Sequence, residues 1–342
     1  MILPRLGSFE ENPDPLVPAE LPVPEPGEGE VRIRVSVCGV CHTELDEIEG
    51  RTPPPRLPVV LGHQAVGRVE ALGPGVTGRG GLREGDRVGV PWIFSACGRC
   101  KYCREGNENL CPWFRATGRD ADGGYAEAMT VPAAFAIPIP EIFPDVEAAP
   151  LLCAGAIGYR SMKLAGLADG EALGLTGFGA SAHLVLKMVR HRYPNTRVYV
   201  FARSEGERAF ARELGAVWTG DPAEESPEKL AAVIDTTPAW QPVVSALRNL
   251  EPEGRLVINA IRKEERDKEA LLGLDYPRDL WLEKEVKSVA NVARSDVREF
   301  LALAAEIPIR PEIQEFPLEQ ANEALRELKA RKIRGAKVLR IA

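Results

Sequence analysis

Seven cysteines stand at positions 38, 41, 97, 100, 103, 111 and 153, and none follows. Four of them form Cys97-x2-Cys100-x2-Cys103-x7-Cys111 within the stretch CGRCKYCREGNENLC. In a reducing compartment, thiols this close read as metal ligands before they read as disulfides. Four thiolates close a tetrahedron around Zn2+ and leave no position open, which describes a structural site. Tetrahedral sulfur also suits iron, and Cys111-Pro112 matches the cysteine-proline that often follows bacterial cluster motifs. Because the last spacing is seven rather than three, zinc is the expected metal for this lobe, at about residues 95–113.

A chain of 342 residues suits two domains. Hydrophobic content of 44% with 27% charged residues is that of a soluble globular protein. No apolar run reaches the roughly 18 residues of a membrane span. The opening MILPRLGSFE lacks the pattern of a secretory signal, so a cytoplasmic location is expected. A net charge of -7 without a long basic block gives no electrostatic reason to expect nucleic acid or an anionic membrane as partner.

Up to about residue 150, short apolar runs such as VRIRVSV, AVGRVEAL and GDRVGVPW alternate with Gly and Pro, the texture of short strands and turns. From about 151 a helical LLCAGAIGYRSMKLAG precedes EALGLTGFGASAHLVLKMVRHR and RVYVFA, which read as strand, helix, strand. AAVIDTT and GRLVINA are further buried strands, with PVVSALRNLEP long enough for a crossover. A parallel sheet with helices on both faces is the economical reading. After about 290 come the helical VREFLALAAEI and LEQANEALRELKARK and a strand-like AKVLRIA. Within LTGFGASAH, Gly177-x-Gly179-x-x-Ala182 lies between a strand and a helix. Glycines there permit a tight turn and close approach of backbone to a pyrophosphate at a helix N-terminus.

The other ligand candidates are Cys38, Cys41 and His42 in CGVCHTEL, His63 in GHQAVG and Cys153 in LLCAGAIGY. Each is weak alone, since a lone Cys is usually a small buried hydrophobe. Cys41-x21-His63 followed by a distant Cys153, with the four-cysteine lobe between, resembles the zinc-dependent alcohol dehydrogenases of the medium-chain dehydrogenase/reductase family. The resemblance runs over almost the whole chain, including ANEALRELKARKIRGAKVL. It implies a GroES-like β-rich catalytic domain over 1–150 and 291–342, and a Rossmann dinucleotide-binding domain over 151–290.

By the same resemblance Cys41, His63 and Cys153 hold a catalytic zinc, which makes two zinc ions per chain. Cys38 falls off the ligand position and reads as a packed thiol. Three protein ligands leave a fourth position for water or substrate oxygen, and the metal remains a Lewis acid able to lower the alcohol's pKa. Thr43 matches the hydroxyl that takes the alcohol proton. His42 matches a contact to the cofactor pyrophosphate, and Glu44 an acid that supports the ligand histidine. Asp46 stands where many members have a relay histidine, and Gln64 replaces the carboxylate of the usual GHE. Trp92 either lines the substrate pocket, as in some members, or packs in the core.

Ala202 matches the position that is Asp in NAD-preferring members, and Arg203 and Ser204 follow it. Arg can pair with a 2'-phosphate, so NADP(H) is expected over NAD(H). Arg334 is a candidate for a cofactor phosphate, with an ordinary solvated charge as the alternative. The expected activity is reversible hydride transfer between a small alcohol and a nicotinamide cofactor, giving aldehyde or ketone. A homo-dimer or homo-tetramer is implied by the family. Polyol or threonine dehydrogenases of the same superfamily and a catalytically silent binding protein are the alternatives. Polyol enzymes commonly have Glu as third ligand, so Cys153 counts against them.

Overall fold

The computed structural model describes residues 1–76, 81–307, 309–330 and 335–341. Arg334, a candidate cofactor contact, lies outside the described residues. The chain divides into two compact units, Met1–Cys153 with Asn291–Ala342, and Ala154–Ala290.

The first unit is built around the strand Glu30–Val40. Its alternation buries Val31, Ile33, Val35 and Val37 on one face, the period-2 pattern of a half-buried strand. It pairs antiparallel with Ala65–Leu72, Ala128–Pro132 and Ala336–Arg340. Arg87–Val90 and Ile137–Pro138 extend the sheet beyond Ala65–Leu72, and Ile313–Pro317 adds a parallel strand beyond Ala336–Arg340. The returning C-terminal segment therefore completes the sheet that the N-terminal segment begins. Residues 1–29 differ from the strand texture expected of them, contributing only the isolated bridges Ile2 to Val17 and Leu3 to Val59.

The second unit is a six-stranded parallel sheet. Its spatial order is Trp218–Gly220, Arg197–Phe201, Ala172–Thr176, Leu230–Asp235, Leu250–Ile258 and Glu285–Ser288. In chain order this reads third, second, first, fourth, fifth, sixth, the doubly wound arrangement of dinucleotide-binding domains. Ala172–Thr176 is buried at every residue, as a strand covered on both faces requires. The order reverses between Ala172–Thr176 and Leu230–Asp235, and sheets of this kind bind ligands outside the carboxyl ends of strands at such a point. No helix among the described residues is long and apolar enough to cross a membrane.

Candidate metal centres and nucleotide-binding turn

The four-cysteine lobe is assembled by backbone geometry within one short stretch. Gly98, at φ +71°, turns the chain between Cys97 and Cys100, and Cys100 begins the short helix Lys101–Arg104. The Cys100 and Cys103 sulfurs are 3.5 Å apart, and those of Cys97 and Cys103 3.9 Å. All four sulfurs lie within 4.8 Å of one another. A zinc–sulfur bond of about 2.3 Å in a tetrahedron requires sulfur–sulfur edges of about 3.8 Å. The donor set therefore fits the ion. Backbone N–H groups of Cys97 and Trp113 each donate to Cys111 Sγ at 3.4 Å, and that of Cys100 to Cys97 Sγ at 3.4 Å. The Arg99 and Cys100 amides hold the Cys97 thiol down to about 6, whereas desolvation and the neighbouring thiols push Cys103 up to about 12. Such a split, with the Cys97 thiol lowered and the Cys103 thiol raised beside it, is what a cation at the centre would relieve.

The second cluster is gathered from three distant segments. Cys41 precedes the helix His42–Ile48, and Glu44 in its first turn reaches back to accept the Cys41 N–H at 2.7 Å. The other Glu44 oxygen lies 2.6 Å from His63 Nδ1. One carboxylate thus positions two candidate ligands and leaves His63 Nε2 as the ring atom available to a metal. Gly62, at φ +96°, brings the chain into His63, and a Cβ there would strike the Tyr125 ring at 2.4 Å. Cys153 sits in a π-helical turn, Leu151–Gly155, directly after Pro150. A proline inside a helix removes one rung of the hydrogen-bond ladder, and wide turns commonly mark functional sites.

Cys41 Sγ and Cys153 Sγ are 3.9 Å apart, again a tetrahedral edge, and the ligand atoms of Cys41, His63 and Cys153 all lie within 4.8 Å of one another. Thr43 Oγ1 is 3.7 Å from Cys41 Sγ. The Cys153 S–H lowers the Cys41 thiol well below its ordinary value, and that same contact raises Cys153. Burial alone would lower the His63 imidazole, but Glu44 and Cys41 overturn this and raise it well above its ordinary value. Two sulfurs and an imidazole nitrogen brought this close are a donor set that also fits a divalent cation.

Other residues singled out in the sequence have diverse placements. Cys38 is fully buried on the strand Glu30–Val40, belongs to neither ligand group, and has its thiol pushed up by burial. Gln64 is buried against Gly39, where a Cβ would meet Gln64 Oε1 at 2.5 Å. Asp46 is buried, and its carboxylate is bound by Arg51 Nε. Among the described residues no hydrogen bond joins it to Thr43. Trp92 is buried, with Phe114 at 5.1 Å between ring centroids and the Arg119 guanidinium over its ring at 5.3 Å. His42 is exposed.

Sequence reasoning missed Glu47. It is fully buried, burial raises its carboxyl well above the ordinary range, and Glu44 adds to that rise. The charges of His63 and, to a lesser extent, Arg119 offset this in part. The available signal was its position three residues after Glu44, which puts both acids on neighbouring parts of one helix face.

In the second unit, Gly177 at φ +78° follows the strand Ala172–Thr176, and the helix Ala182–Arg192 opens after it. A Cβ at Gly177 would press on Thr236 Oγ1 at 2.9 Å, whereas one at Gly179 would meet nothing within 4 Å. Ala202 is buried, with its N–H donating to Gly220 O at 2.9 Å. Arg203 is exposed. Ser204 caps the helix Glu205–Glu213, accepting from Glu207 N at 3.2 Å and donating to Glu207 Oε2 at 2.9 Å. Its hydroxyl is committed to a cap, because Glu207 stands three residues on, so it is not a free donor for a cofactor phosphate.

Comparison with known proteins agrees in family and fold. Residues 27–141 match the alcohol dehydrogenase GroES-like domain. A probable alcohol dehydrogenase AdhA of Mycobacterium tuberculosis is 43% identical over 321 residues, covering 93% of this chain and 91% of that protein. An alcohol dehydrogenase of Geobacillus stearothermophilus is 32% identical, over 97% of this chain and 98% of that protein. The solved structure of a cobalt- and zinc-bound thermostable alcohol dehydrogenase from Pyrobaculum aerophilum superposes with a TM-score of 0.84 at 25% identity, covering 99% and 98% of the two chains.

Proposed function

Because this chain belongs to the alcohol dehydrogenase family and is an alcohol dehydrogenase, we propose that its activity is zinc-dependent and prefers NADP(H). The reaction is reversible hydride transfer between a small alcohol and a nicotinamide cofactor. The observation that carries this reading is the meeting of Cys41, His63 and Cys153, with two sulfurs 3.9 Å apart and the Thr43 hydroxyl beside them. A zinc ion held by these three residues supplies Lewis acidity that makes the alcohol hydroxyl easier to deprotonate. Cys97, Cys100, Cys103 and Cys111 hold a second, structural zinc.

The Thr43 hydroxyl would accept a hydrogen bond from the alcohol O–H and take up its proton while passing its own toward solvent; a bound nicotinamide would supply the hydride acceptor. Glu44 keeps the His63 ring in place throughout. Asp46 is bound to Arg51, so the next step of the proton to solvent does not run through a direct contact between Thr43 and Asp46. Trp92 borders the alcohol. Gly177, Gly179 and Ala182 receive the pyrophosphate at the start of a helix, with the open space over Gly179 supporting close approach.

Cofactor preference rests on Ala202 and Arg203. No carboxylate at 202 accepts the ribose hydroxyls, and the exposed Arg203 guanidinium is free to pair with a 2'-phosphate. A charge-assisted contact contributes about 1.5–3 kcal/mol, roughly ten-fold to more than a hundred-fold in specificity. The enzyme is proposed to be cytoplasmic, a homo-dimer or homo-tetramer, with small alcohols and aldehydes as its partners rather than nucleic acid or membrane. The test combines elemental analysis with kcat/KM for both cofactors in the natural protein and in Ala202→Asp. Two zinc ions per chain, preference for NADP(H) and a swing toward NAD(H) in the variant are expected. Iron in the lobe, or equal use of NAD(H) by the natural protein, overturns the corresponding part.

A further inference from the structure

The carboxyl ends of the fourth and fifth strands of the parallel sheet are bridged by the side chain of a lysine, Lys263. Asp235 ends the strand Leu230–Asp235 and is fully buried; the Lys263 side chain that meets it is 7% exposed. Lys263 Nζ donates to Asp235 Oδ2, to Thr237 O at 2.7 Å and to Ala239 O at 3.1 Å. An ammonium has three N–H donors, and here all three are spent on one turn. The other Asp235 oxygen accepts from Thr237 Oγ1 at 2.8 Å and Thr237 N at 3.2 Å. Further bonds draw the segment after Leu250–Ile258 onto the same turn, from Asn259 N to Asp235 O at 2.7 Å and from Glu264 N to Pro238 O at 2.7 Å.

That turn is the wall of the glycine loop. Thr236 N and Thr236 Oγ1 donate to Thr176 O at 2.9 and 3.0 Å, on the residue immediately before Gly177. Thr236 Oγ1 and Thr237 Cγ2 stand where a Cβ on Gly177 would fall, at 2.9 and 3.0 Å. On the other side Asn259 Nδ2 reaches Ser181 Oγ at 3.3 Å, next to the helix that opens at Ala182. The glycine loop is thus held between two segments that strand pairing and two backbone hydrogen bonds join, and the Lys263 ammonium fixes the shape of the Asp235–Ala239 turn between them. Without it, a buried carboxylate and two carbonyls would lose their partner, and the turn would have to open toward water to satisfy them.

We infer that Lys263 is a positioning residue for the dinucleotide, holding Thr236 and Thr237 against Gly177 so that the glycine loop keeps its binding shape. This rests on the reading of Gly177–Ala182 as the pyrophosphate site. The test measures the dissociation constant of NADPH by fluorescence on the intact, zinc-loaded protein. Lys263→Met is expected to weaken binding ten-fold or more and to raise KM for the cofactor. Zinc content and KM for the alcohol at saturating cofactor should stay within two-fold, a split that general loosening of the fold would not give. Asp235→Asn combined with Lys263→Met removes both buried charges, which keeps the experiment informative should the single variant fold poorly, and its binding should stay weak because the carbonyl tethers are still missing. Wild-type affinity in either variant overturns the inference. Gly179→Val, whose side chain meets no protein atom at Cβ, is expected to block binding with Tm unchanged. If Gly179→Val binds normally, the pyrophosphate site itself is wrong. If it fails to bind while the Lys263 variants bind normally, the site stands and the positioning role falls.

Discussion

The two cysteine clusters of the first unit use the same element in opposite ways. The lobe draws four sulfurs from residues 97–111, and its ligand sulfurs are steadied by backbone N–H groups. The other cluster draws on Cys41, His63 and Cys153, and a side chain, Glu44, does the steadying. Gathering distant residues costs chain entropy that the surrounding sheet has already met, so a metal there adds little to the fold. The lobe has a helix, Lys101–Arg104, without a single buried residue. With no apolar burial in that helix, a metal held by the four sulfurs is expected to contribute much of the order of this stretch. Four ligands without an open position suit that task, whereas three ligands beside a hydroxyl suit chemistry.

The largest expected effect separates the two clusters outright. Cys41→Ser should abolish turnover and leave one zinc per chain, with Tm within a few degrees of the natural protein. Thr43→Ala comes next, with kcat lowered roughly 10²–10⁴-fold while both zinc ions stay bound, and with Thr43→Ser retaining much of the rate. Metal analysis beside steady-state kinetics checks both. Full activity in Thr43→Ala would remove the hydroxyl from the proton path. Cys100→Ser should do the reverse of Cys41→Ser, losing the lobe metal and lowering Tm by on the order of 10 °C. At about 2–4 °C per kcal/mol for a domain of this size, that corresponds to roughly 3 kcal/mol. Calorimetry that shows equal Tm for the two variants would erase the distinction.

The same contrast explains what could be read from the sequence. The lobe was legible from spacing alone, because its geometry is local. Cys41, His63 and Cys153 became legible only through resemblance, since no periodicity reports that positions 41 and 153 end with sulfurs 3.9 Å apart. Glu44 illustrates the middle ground, as an acid in the first turn of a helix is a local signal but its second contact, to His63, is tertiary. Asp46 stands at a relay position and Ser204 in the loop that would meet the cofactor, and in the fold each meets a nearby partner, Arg51 and Glu207, that competes for its polar atoms. The alternating strand and helix pattern gave a parallel sheet but not its third, second, first, fourth, fifth, sixth order. Nothing in the sequence pointed to Lys263, because its acceptors, Asp235, Thr237 and Ala239, lie on another segment.

Glu47 sharpens the comparison at its smallest scale. The distributed centre contains a carboxyl that burial opposes, Glu47, whereas the buried carboxyl of the lobe, Glu108, is paired with Arg294 Nε at 2.7 Å. Desolvation first, and then the charge of Glu44, raise the Glu47 carboxyl well above its ordinary 4.5 in the folded protein. Below the unfolded value both states keep the proton, and the residue has no pH-dependent effect on stability. As pH rises past about 4.5 the unfolded chain releases the proton while the folded one retains it, so stability falls until the folded value is passed. Glu47→Gln keeps the size and removes the titration. Its Tm should therefore exceed that of the natural protein at pH 7, by about 2–4 °C for each kcal/mol relieved, with the gain shrinking toward zero as pH approaches 4.5. Thermal scans of both proteins side by side between pH 5 and pH 8 measure this difference. A gain that does not change with pH would mean that the amide stabilises through new hydrogen bonds, for instance with the Trp92 side of the site, and that Glu47 is ionised in the fold after all.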